Sequence, residues 1–212
     1  FFLFKTKDKF LNPTIIYVGR LKPYKNIDIA INAVSLLVKK NLTLKFLIVG
    51  NGEHDIYLKN IVKQKNLTST IEFTGFVGEE KKNELLAKSW LMVQPSMMEG
   101  WGISVIEANA AGTPVVASNV NGLKDSVVDS KTGILVTVKD AKALASAIEK
   151  VILSASLRSR LSRNALAWAK LFEWDIKSSQ LINIIYSNLF LDLQKSKSKK
   201  VTKEILSLET NE

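Results

Sequence analysis

The sequence contains no cysteine, a single histidine and only four prolines. Without cysteine no disulfide can form, which suits a reducing compartment, and we expect a cytoplasmic protein. The low proline content, together with 46% apolar and 24% charged residues, excludes an intrinsically disordered chain. A chain of 212 residues is long enough for one domain with a sizeable core.

Long hydrophobic runs are also missing. A membrane-spanning helix needs roughly 18 consecutive apolar residues, and the nearest candidate, residues 181–193, is interrupted by polar side chains at four positions, Asn183, Ser187, Asn188 and Asp192. The chain is therefore not expected to cross a bilayer. The apolar residues 1–4 lack the basic flank and cleavage site of a signal peptide. We expect residues 1–13 to be an edge or linker from a further domain of a longer protein.

Acidic residues are outnumbered by basic ones, 20 to 30, which gives a formal charge of +10. Such an excess favours anionic partners such as phosphates, nucleic acid or an anionic lipid surface. Aromatic residues are few and do not alternate with the lysines, so no stacking surface for single-stranded nucleic acid is visible. Nucleic acid is accordingly not an expected partner.

Short runs of Ile, Val, Phe and Leu alternate with segments of helical period. This pattern predicts an α/β domain with a Rossmann-like, doubly wound parallel sheet and helices on both faces. The predicted strands are residues 14–18, 44–49, 71–74, 91–94, 114–117 and 133–136. A C-terminal helical flank on the same domain is predicted at residues 141–153, 157–170 and 174–193.

The domain is thus expected to cover residues 14–193, followed by a lysine-rich tail at 194–212. The tail is either solvated or docks on an anionic membrane surface. Gly50 and Gly52 follow a strand and precede a helix, as in a nicotinamide dinucleotide site. The third glycine of that fingerprint would fall at Asp55, which excludes such a site.

The turn after the first predicted strand carries Gly19, Arg20 and Lys25. Ligands of open α/β sheets collect at the carboxyl ends of the strands, where helix N-termini offer free N–H groups. Gly19 permits a tight turn beside a ligand, and the two cations can hold phosphate oxygens. Taken alone, this turn is equally well explained by ordinary surface charges.

The turn after the fourth predicted strand contains Glu99, Gly100 and Gly102, and a helix is expected to start near Ile103. The amides of Gly102, Ile103 and Ser104 would then face an anion. Glu107 would lie one turn into the helix, where its carboxylate can accept bonds from sugar hydroxyls. The alternatives are a favourable charge in the first helical turn for Glu107 and a solvated loop residue for Glu99. We expect Arg20 and Lys25 to offset the two carboxylates.

Taken together, these segments resemble the family 4 glycosyltransferases of the GT-B fold. The similarity covers roughly residues 14–190. Its most specific part is the pair Glu99 and Glu107, eight positions apart in a glycine-rich context. The matching motifs are, in order, residues 19–21 with Lys25, residues 49–52, residues 74–77, residues 95–108 and residues 111–117.

The resemblance implies a retaining enzyme that transfers a sugar from a UDP- or GDP-sugar and works without a bound metal or other cofactor. Arg20 and Lys25 would bind the donor diphosphate and neutralise the departing phosphate. Glu107 would bind the ribose hydroxyls, and Glu99 would lie near the donor sugar. The other residues implied to line the donor site are Gly19, Gly50, Gly52, Phe76, Val77, Gly100, Trp101, Gly102, Ile103 and Ser104.

The same resemblance implies that the acceptor is bound by an N-terminal domain that is missing here. An anionic or membrane-borne acceptor, and a peripheral position at a membrane surface, would suit the basic charge. Trp101 stands where the family more often has Phe or Tyr, and Asp125 where many members have Glu. His54 is interpreted as a solvated helix start.

Two other classes of function compete with the interpretation as a glycosyltransferase. One is another enzyme of the same fold, such as a nucleotide-sugar epimerase or a phosphorylase. The other is a non-catalytic module that binds polyanions, whose binding would be steeply dependent on salt.

Overall fold

The computed structural model describes residues 8–172. Within them, strands and helices alternate as the sequence predicts. The strands are β1 (Thr14–Val18), β2 (Lys45–Val49), β3 (Ile71–Gly75), β4 (Leu91–Gln94), β5 (Val115–Ser118) and β6 (Gly133–Val136). The helices are α1 (Ile27–Lys39), α2 (Asp55–Gln64), α3 (Glu79–Lys88), α4 (Ile103–Ala110), α5 (Leu123–Ser126), α6 (Ala141–Leu153) and α7 (Ala155–Lys170).

The strands form one parallel sheet in the order β3-β2-β1-β4-β5-β6. Chain order runs outward in both directions from the neighbouring strands β1 and β4, so the topological switch point lies between these two strands. In open sheets of this type the ligand crevice is found at that point, beyond the carboxyl ends of the strands. The predicted fold class is confirmed.

Strands β1, β2, β4 and β5 are buried on both faces, apart from Lys45 at the start of β2, which explains why they are nearly continuous apolar runs, whereas the edge strand β3 exposes Glu72. Along β1, Ile15 and Tyr17 point into one hydrophobic cluster and Ile16 and Val18 into another. The first cluster is covered mainly by α1, α2 and α6, and the second by α3, α4 and α5. Alternating side chains of one strand therefore pack against the helical layers on both faces of the sheet.

Apart from shifts of one residue at the ends of β2, β3 and β5, two local features differ from the sequence prediction. Helix α7 starts at Ala155, two residues earlier than predicted, because the Ser154 hydroxyl accepts a hydrogen bond from the amide of Leu157 at 3.2 Å and so caps the first turn. The short helix α5 was not predicted, since four residues are too few to show a helical period.

The chain divides into two units, Phe1–Lys170 and Leu171–Glu212. The predicted helix at 174–193 and the predicted tail at 194–212 lie outside the described residues. In the described part of the chain, no helix is both long and apolar enough to cross a membrane.

The segment before β1 is tied to the turn between α3 and β4. Trp90 donates its indole N–H to the carbonyl oxygen of Phe10 at 2.7 Å, and the Phe10 amide donates to the carbonyl of Lys88 at 2.9 Å. The Lys9 ammonium donates to the carbonyl of Ser89 at 2.7 Å. The last residues of the predicted linker are thus fixed at the end of the sheet opposite the switch-point crevice.

Candidate functional site

The candidate site lies at the carboxyl ends of β1 and β4. The turn after β1 contains a 3-10 turn at Pro23–Lys25 and a left-handed residue, Asn26, before α1. This turn is held against the turn after β4 by two hydrogen bonds. The Asn26 side-chain amide donates to the carbonyl of Pro95 at 3.2 Å, and the amide of Met97 donates to the carbonyl of Tyr24 at 2.8 Å. The two turns that the sequence predicts to carry the site therefore lie against each other and form one side of it, which we call the wall.

Lys25 and Glu99 form an ion pair in this wall. The Lys25 Nζ lies 2.6 Å from Glu99 Oε1, and the two side chains are only 11% and 12% exposed. The same oxygen accepts hydrogen bonds from Gln94 Nε2 at 2.7 Å and from Ser96 Oγ at 2.8 Å. Burial alone would raise the pKa of Glu99, but these three donors outweigh it and lower the pKa below the ordinary glutamate value. Glu99 is therefore an ionised carboxylate with a fixed orientation.

Arg20 differs from Lys25 in its environment. Its side chain is exposed, and within residues 8–172 the guanidinium makes no hydrogen bond or ion pair. Its backbone is fixed instead, because the buried Tyr17 hydroxyl donates to the Arg20 carbonyl at 3.0 Å. Burial, and then the charge of Glu99, raise the pKa of Tyr17, so this hydroxyl stays a donor at neutral pH. The structure thus presents an uncommitted cation on a rigid turn.

Helix α4 begins at Ile103, where the sequence predicts it, and Gly102 is its N-cap residue. Gly102 is buried in the left-handed region with φ of 77° and has no side chain to cap the helix. The first amides of a helix have no intrahelical partner, so those of Ile103 and Ser104 retain their capacity to bind an anion. Gly100 and Ile103 are exposed, and Trp101 and Ser104 are half-buried beside this helix start.

Glu107 lies in the second turn of α4 and is paired with a lysine that the sequence analysis did not name. Lys82 Nζ of α3 lies 3.0 Å from Glu107 Oε1 and 2.8 Å from Glu79 Oε2. The charge of Glu107 is therefore offset by Lys82, whereas we expected Arg20 and Lys25 to offset both carboxylates. Lys82 could not be found from spacing to Glu107, because the two residues are 25 positions apart on different helices.

A pocket of about 230 Å³ adjoins this pair at the carboxyl ends of β1, β2 and β3. Five of its lining residues are predicted site residues. Two others, Glu79 and Lys82 of α3, belong with Glu107 to the group of charged side chains that we call the Lys82 cluster. Its lining is Val18, Gly19, Arg20, Val49, Gly50, Asn51, Phe76, Val77, Glu79 and Lys82. Phe76 stands at its rim with 78% of its surface exposed.

A larger cavity of about 900 Å³ lies against β3 and α3 and reaches Thr14 and Lys45, at the starts of β1 and β2. Of the predicted site residues only Val77 lines it. Because it extends toward the amino ends of the strands, we place the candidate site at the smaller pocket and the Lys25–Glu99 wall.

Three glycines hold the turns around the site at close backbone contact. A Cβ on Gly50 would lie 2.0 Å from the carbonyl oxygen of Gly19, and one on Gly52 would lie 2.3 Å from that of Leu21. Gly52 does not line the pocket, so its place in the structure is explained by packing of the β2 turn on the β1 turn. Gly122, which the sequence analysis did not select, lies behind the carbonyl of Glu99 at a corresponding 2.2 Å.

Two residues that the sequence analysis discussed have structural partners. His54 occupies the N-cap position of α2 and packs edge-on against Tyr57, with ring centres 4.4 Å apart. This agrees with its interpretation as a helix start. Asp125 accepts a hydrogen bond from the amide of Gly122 at 3.2 Å and so fixes the start of α5.

Among the side chains that the structure describes, no group of three or more His, Asp or Glu residues could hold a metal ion.

The fold and the site define a class of protein: a Rossmann-like domain with a cationic turn, a helix N-terminus and two oriented carboxylates at its switch point. Residues 4–168 match the family described as Glycosyl transferases group 1, and the chain belongs to this family. The family membership predicted from the sequence motifs is confirmed.

Individual relatives agree with this assignment. The chain is 30% identical over 185 residues to a D-inositol 3-phosphate glycosyltransferase of Nocardioides sp., an alignment that covers 80% of this chain and 40% of the relative. The structure resembles a TarM variant of S. aureus in complex with fondaparinux, alpha-GlcNAc-glycerol and UDP, with a TM-score of 0.74 and 26% identity over 89% of this chain and 38% of that one.

A second structural relative is Anabaena HepE in complex with UDP-glucose, with a TM-score of 0.73 and 25% identity over 84% of this chain and 49% of that one. The chain spans about two fifths of the length of the first curated relatives that it matches.

Proposed function

We propose that this chain is the donor-binding half of a retaining glycosyltransferase that takes its sugar from a UDP- or GDP-sugar. The observation that carries the proposal is the convergence of Arg20, the Lys25–Glu99 pair and the N-terminus of α4 at one switch point. The complexes of TarM with UDP and of HepE with UDP-glucose support a nucleotide-sugar ligand. The acceptor would be bound by a further domain of the full-length protein.

The site suits a leaving diphosphate. When the bond between the anomeric carbon and the diphosphate oxygen breaks, negative charge grows on the phosphate. The exposed Arg20 guanidinium and the first amides of α4 would stabilise that charge where it develops, and preplaced donors of this kind commonly contribute several kcal/mol. Lys25 would bridge Glu99 and the phosphate, since an ammonium has three donor hydrogens.

Glu99 and Glu107 would orient the sugar and the ribose. All three hydrogen bonds that the Glu99 side chain accepts from described residues go to Oε1. Oε2 is therefore left to accept a hydrogen bond from a hydroxyl of the donor sugar. Glu107 would accept hydrogen bonds from the ribose hydroxyls beside the pocket. The backbone of Phe76 and Val77, which line this pocket, would border the base. We expect the acceptor oxygen to attack with retention, and without a bound metal or other cofactor.

The proposal is tested by calorimetric titration of the 212-residue chain with UDP and GDP. We expect one of the two to bind, and Glu107→Gln to weaken that binding about tenfold, the size expected for a hydrogen bond to a charged group. Glu149→Gln is the matched control, because Glu149 of α6 pairs on the surface with Lys40 at the end of α1. This change should leave nucleotide binding unaltered. A folded chain that binds neither nucleotide would contradict the proposal.

The competing polyanion-binding function makes a different prediction. It requires binding to heparin or DNA that falls steeply with salt and is unaffected by Glu107→Gln. A nucleotide-sugar epimerase would be recognised because the full-length enzyme would interconvert free nucleotide-sugars without an acceptor.

The acceptor and the location belong to the same proposal. The formal charge of +10 favours an anionic or membrane-borne acceptor and a cytoplasmic protein that works at an anionic membrane surface. Sedimentation with phosphatidylserine vesicles, compared with phosphatidylcholine vesicles, tests the membrane contact. Equal sedimentation with both would count against it.

A further inference from the structure

Lys82 is more enclosed than its place on a surface helix requires. Its side chain is 13% exposed, whereas that of its neighbour Lys81 is 58% exposed. The ammonium joins two carboxylates from different elements, Glu79 in the first turn of α3 and Glu107 in α4. Holding a flexible lysine side chain in this way costs rotamer freedom, which the contacts with the two carboxylates have to offset.

The ammonium stays charged in this position. Burial alone would lower the pKa of Lys82, but the hydrogen bonds to Glu79 and Glu107 outweigh it and raise the pKa above the ordinary lysine value. At neutral pH the cluster therefore contains one fixed cation and two carboxylates. Because the ammonium binds Oε1 of Glu107, it restricts the rotation of that carboxylate and leaves Oε2 as the oxygen to meet a ligand.

The cluster adjoins the pocket. Lys82 and Glu79 line the same cavity as Arg20 and Phe76. Glu107, whose Oε1 lies 3.0 Å from Lys82 Nζ, belongs to α4, the helix that begins after the carboxyl end of β4. The carboxylate that Lys82 orients is thus close both to the pocket and to the helix whose N-terminus is proposed to bind the phosphate.

We infer that Lys82 is a positioning residue for the nucleotide. It orients the Glu107 carboxylate so that both ribose hydroxyls are recognised, and it offsets a negative charge that would otherwise face the diphosphate. This inference rests on the proposed function, since it takes the ligand to be a ribonucleoside diphosphate.

The test compares UDP with 2′-deoxy-UDP on the 212-residue chain by calorimetry, or GDP with 2′-deoxy-GDP if the wild-type chain binds GDP more tightly. The wild-type chain is expected to bind the ribonucleotide about tenfold more tightly than the deoxynucleotide, as for loss of one hydrogen bond to a charged group. In Lys82→Met this preference should fall to about twofold or less. Lys82→Arg, which keeps the charge and a donor, should restore part of it.

Lys81→Met is the matched control, because it removes the same charge one residue away, outside the cluster, and should keep the full ribose preference. If Lys82→Met does not fold, Lys82→Gln, which retains a hydrogen-bond donor, takes its place, and its preference should also fall. Folding of each variant is checked by circular dichroism.

The outcomes separate the inference from the proposed function. Loss of affinity by the same factor for UDP and 2′-deoxy-UDP would show that Lys82 acts only through its charge, and would overturn the inference while the proposed function stands. An unchanged ribose preference in folded Lys82→Met or Lys82→Gln would overturn it as well. A wild-type chain that binds neither UDP nor GDP would overturn the proposed function, and this inference with it.

Discussion

Lys25 and Glu99 are separated by 74 positions in the chain, yet their charged atoms lie 2.6 Å apart between the turns that follow β1 and β4. Both side chains are largely buried, so the pair fixes the distance between the two turns. An incoming diphosphate would have to share the Lys25 ammonium with Glu99. In the proposed function Lys25 would therefore combine a structural and a ligand-binding task, whereas the exposed Arg20 would serve the ligand alone.

Arg20→Ala and Lys25→Met should consequently separate binding from stability. We expect Arg20→Ala to weaken UDP or GDP binding by about tenfold, because a charge-assisted hydrogen bond is lost, with an unchanged midpoint of thermal unfolding. Lys25→Met should weaken binding and also lower stability by about 1–3 kcal/mol, because it leaves Glu99 buried without its cation. Calorimetry and urea unfolding measure the two quantities.

Arg163→Ala, which removes an exposed arginine of α7, is the control for the change in net charge. If it weakens nucleotide binding as much as Arg20→Ala does, the effect of Arg20 is one of overall charge. A large loss of stability in Arg20→Ala would contradict the division of tasks between the two cations.

Glu99→Gln should change the dependence of stability on pH. The pKa of Glu99 is lowered in the folded chain, so its contribution to stability is present above the ordinary glutamate pKa and is lost as pH falls through the lower folded value. At pH 7 we expect Glu99→Gln to be less stable than the wild type by about 1–3 kcal/mol. The difference should shrink as the pH falls below about 4.5. Urea unfolding at several pH values checks this, and a difference that grows in acid would refute it.

Gly122→Ala should damage the turn that carries Glu99. Gly122 has φ of +82°, and a Cβ there would lie 2.2 Å from the Glu99 carbonyl oxygen. Backbone strain and the clash together should cost at least about 2 kcal/mol. Gly100→Ala is the control for stability, because a Cβ on Gly100 would meet no atom within 4 Å. Equal unfolding midpoints for the two variants would argue against this packing.

Much of the fold follows from the sequence because strands such as β1, β4 and β5 are buried on both faces. A continuous apolar run such as residues 14–18 needs no tertiary information to be recognised. Observed strand ends differ from the predicted ones by at most one residue. Helix α7 was misplaced at its start because residues 154–156 are Ser, Ala and Ser, which show no apolar period, while the cap at Ser154 was sufficient to begin the helix.

The candidate site was predictable only where its residues follow a strand or open a helix. The turn with Arg20 and Lys25, and the helix start at Gly102, are of this kind. Lys82 was not predictable, because its contact with Glu107 depends on how α3 packs beside α4. The role of Gly122 was hidden in the same way, since its neighbour Glu99 is far away in sequence and near only in the folded chain.

Arg158 supports β4, the strand that ends at the candidate site, from the opposite end. Its guanidinium lies 3.9 Å from the centre of the Trp90 ring and donates hydrogen bonds to the carbonyls of Val151 and Ile152 at 3.0 Å each. A lysine could keep the charge but not the planar group that stacks and donates at once. Arg158→Lys should therefore lower stability by about 1–2 kcal/mol, as measured by urea unfolding. Arg160→Lys, an exposed position on the same helix, should change stability by less than about 0.5 kcal/mol. If both substitutions had the same small effect, stacking on Trp90 would contribute nothing specific to the stability of this end of the sheet.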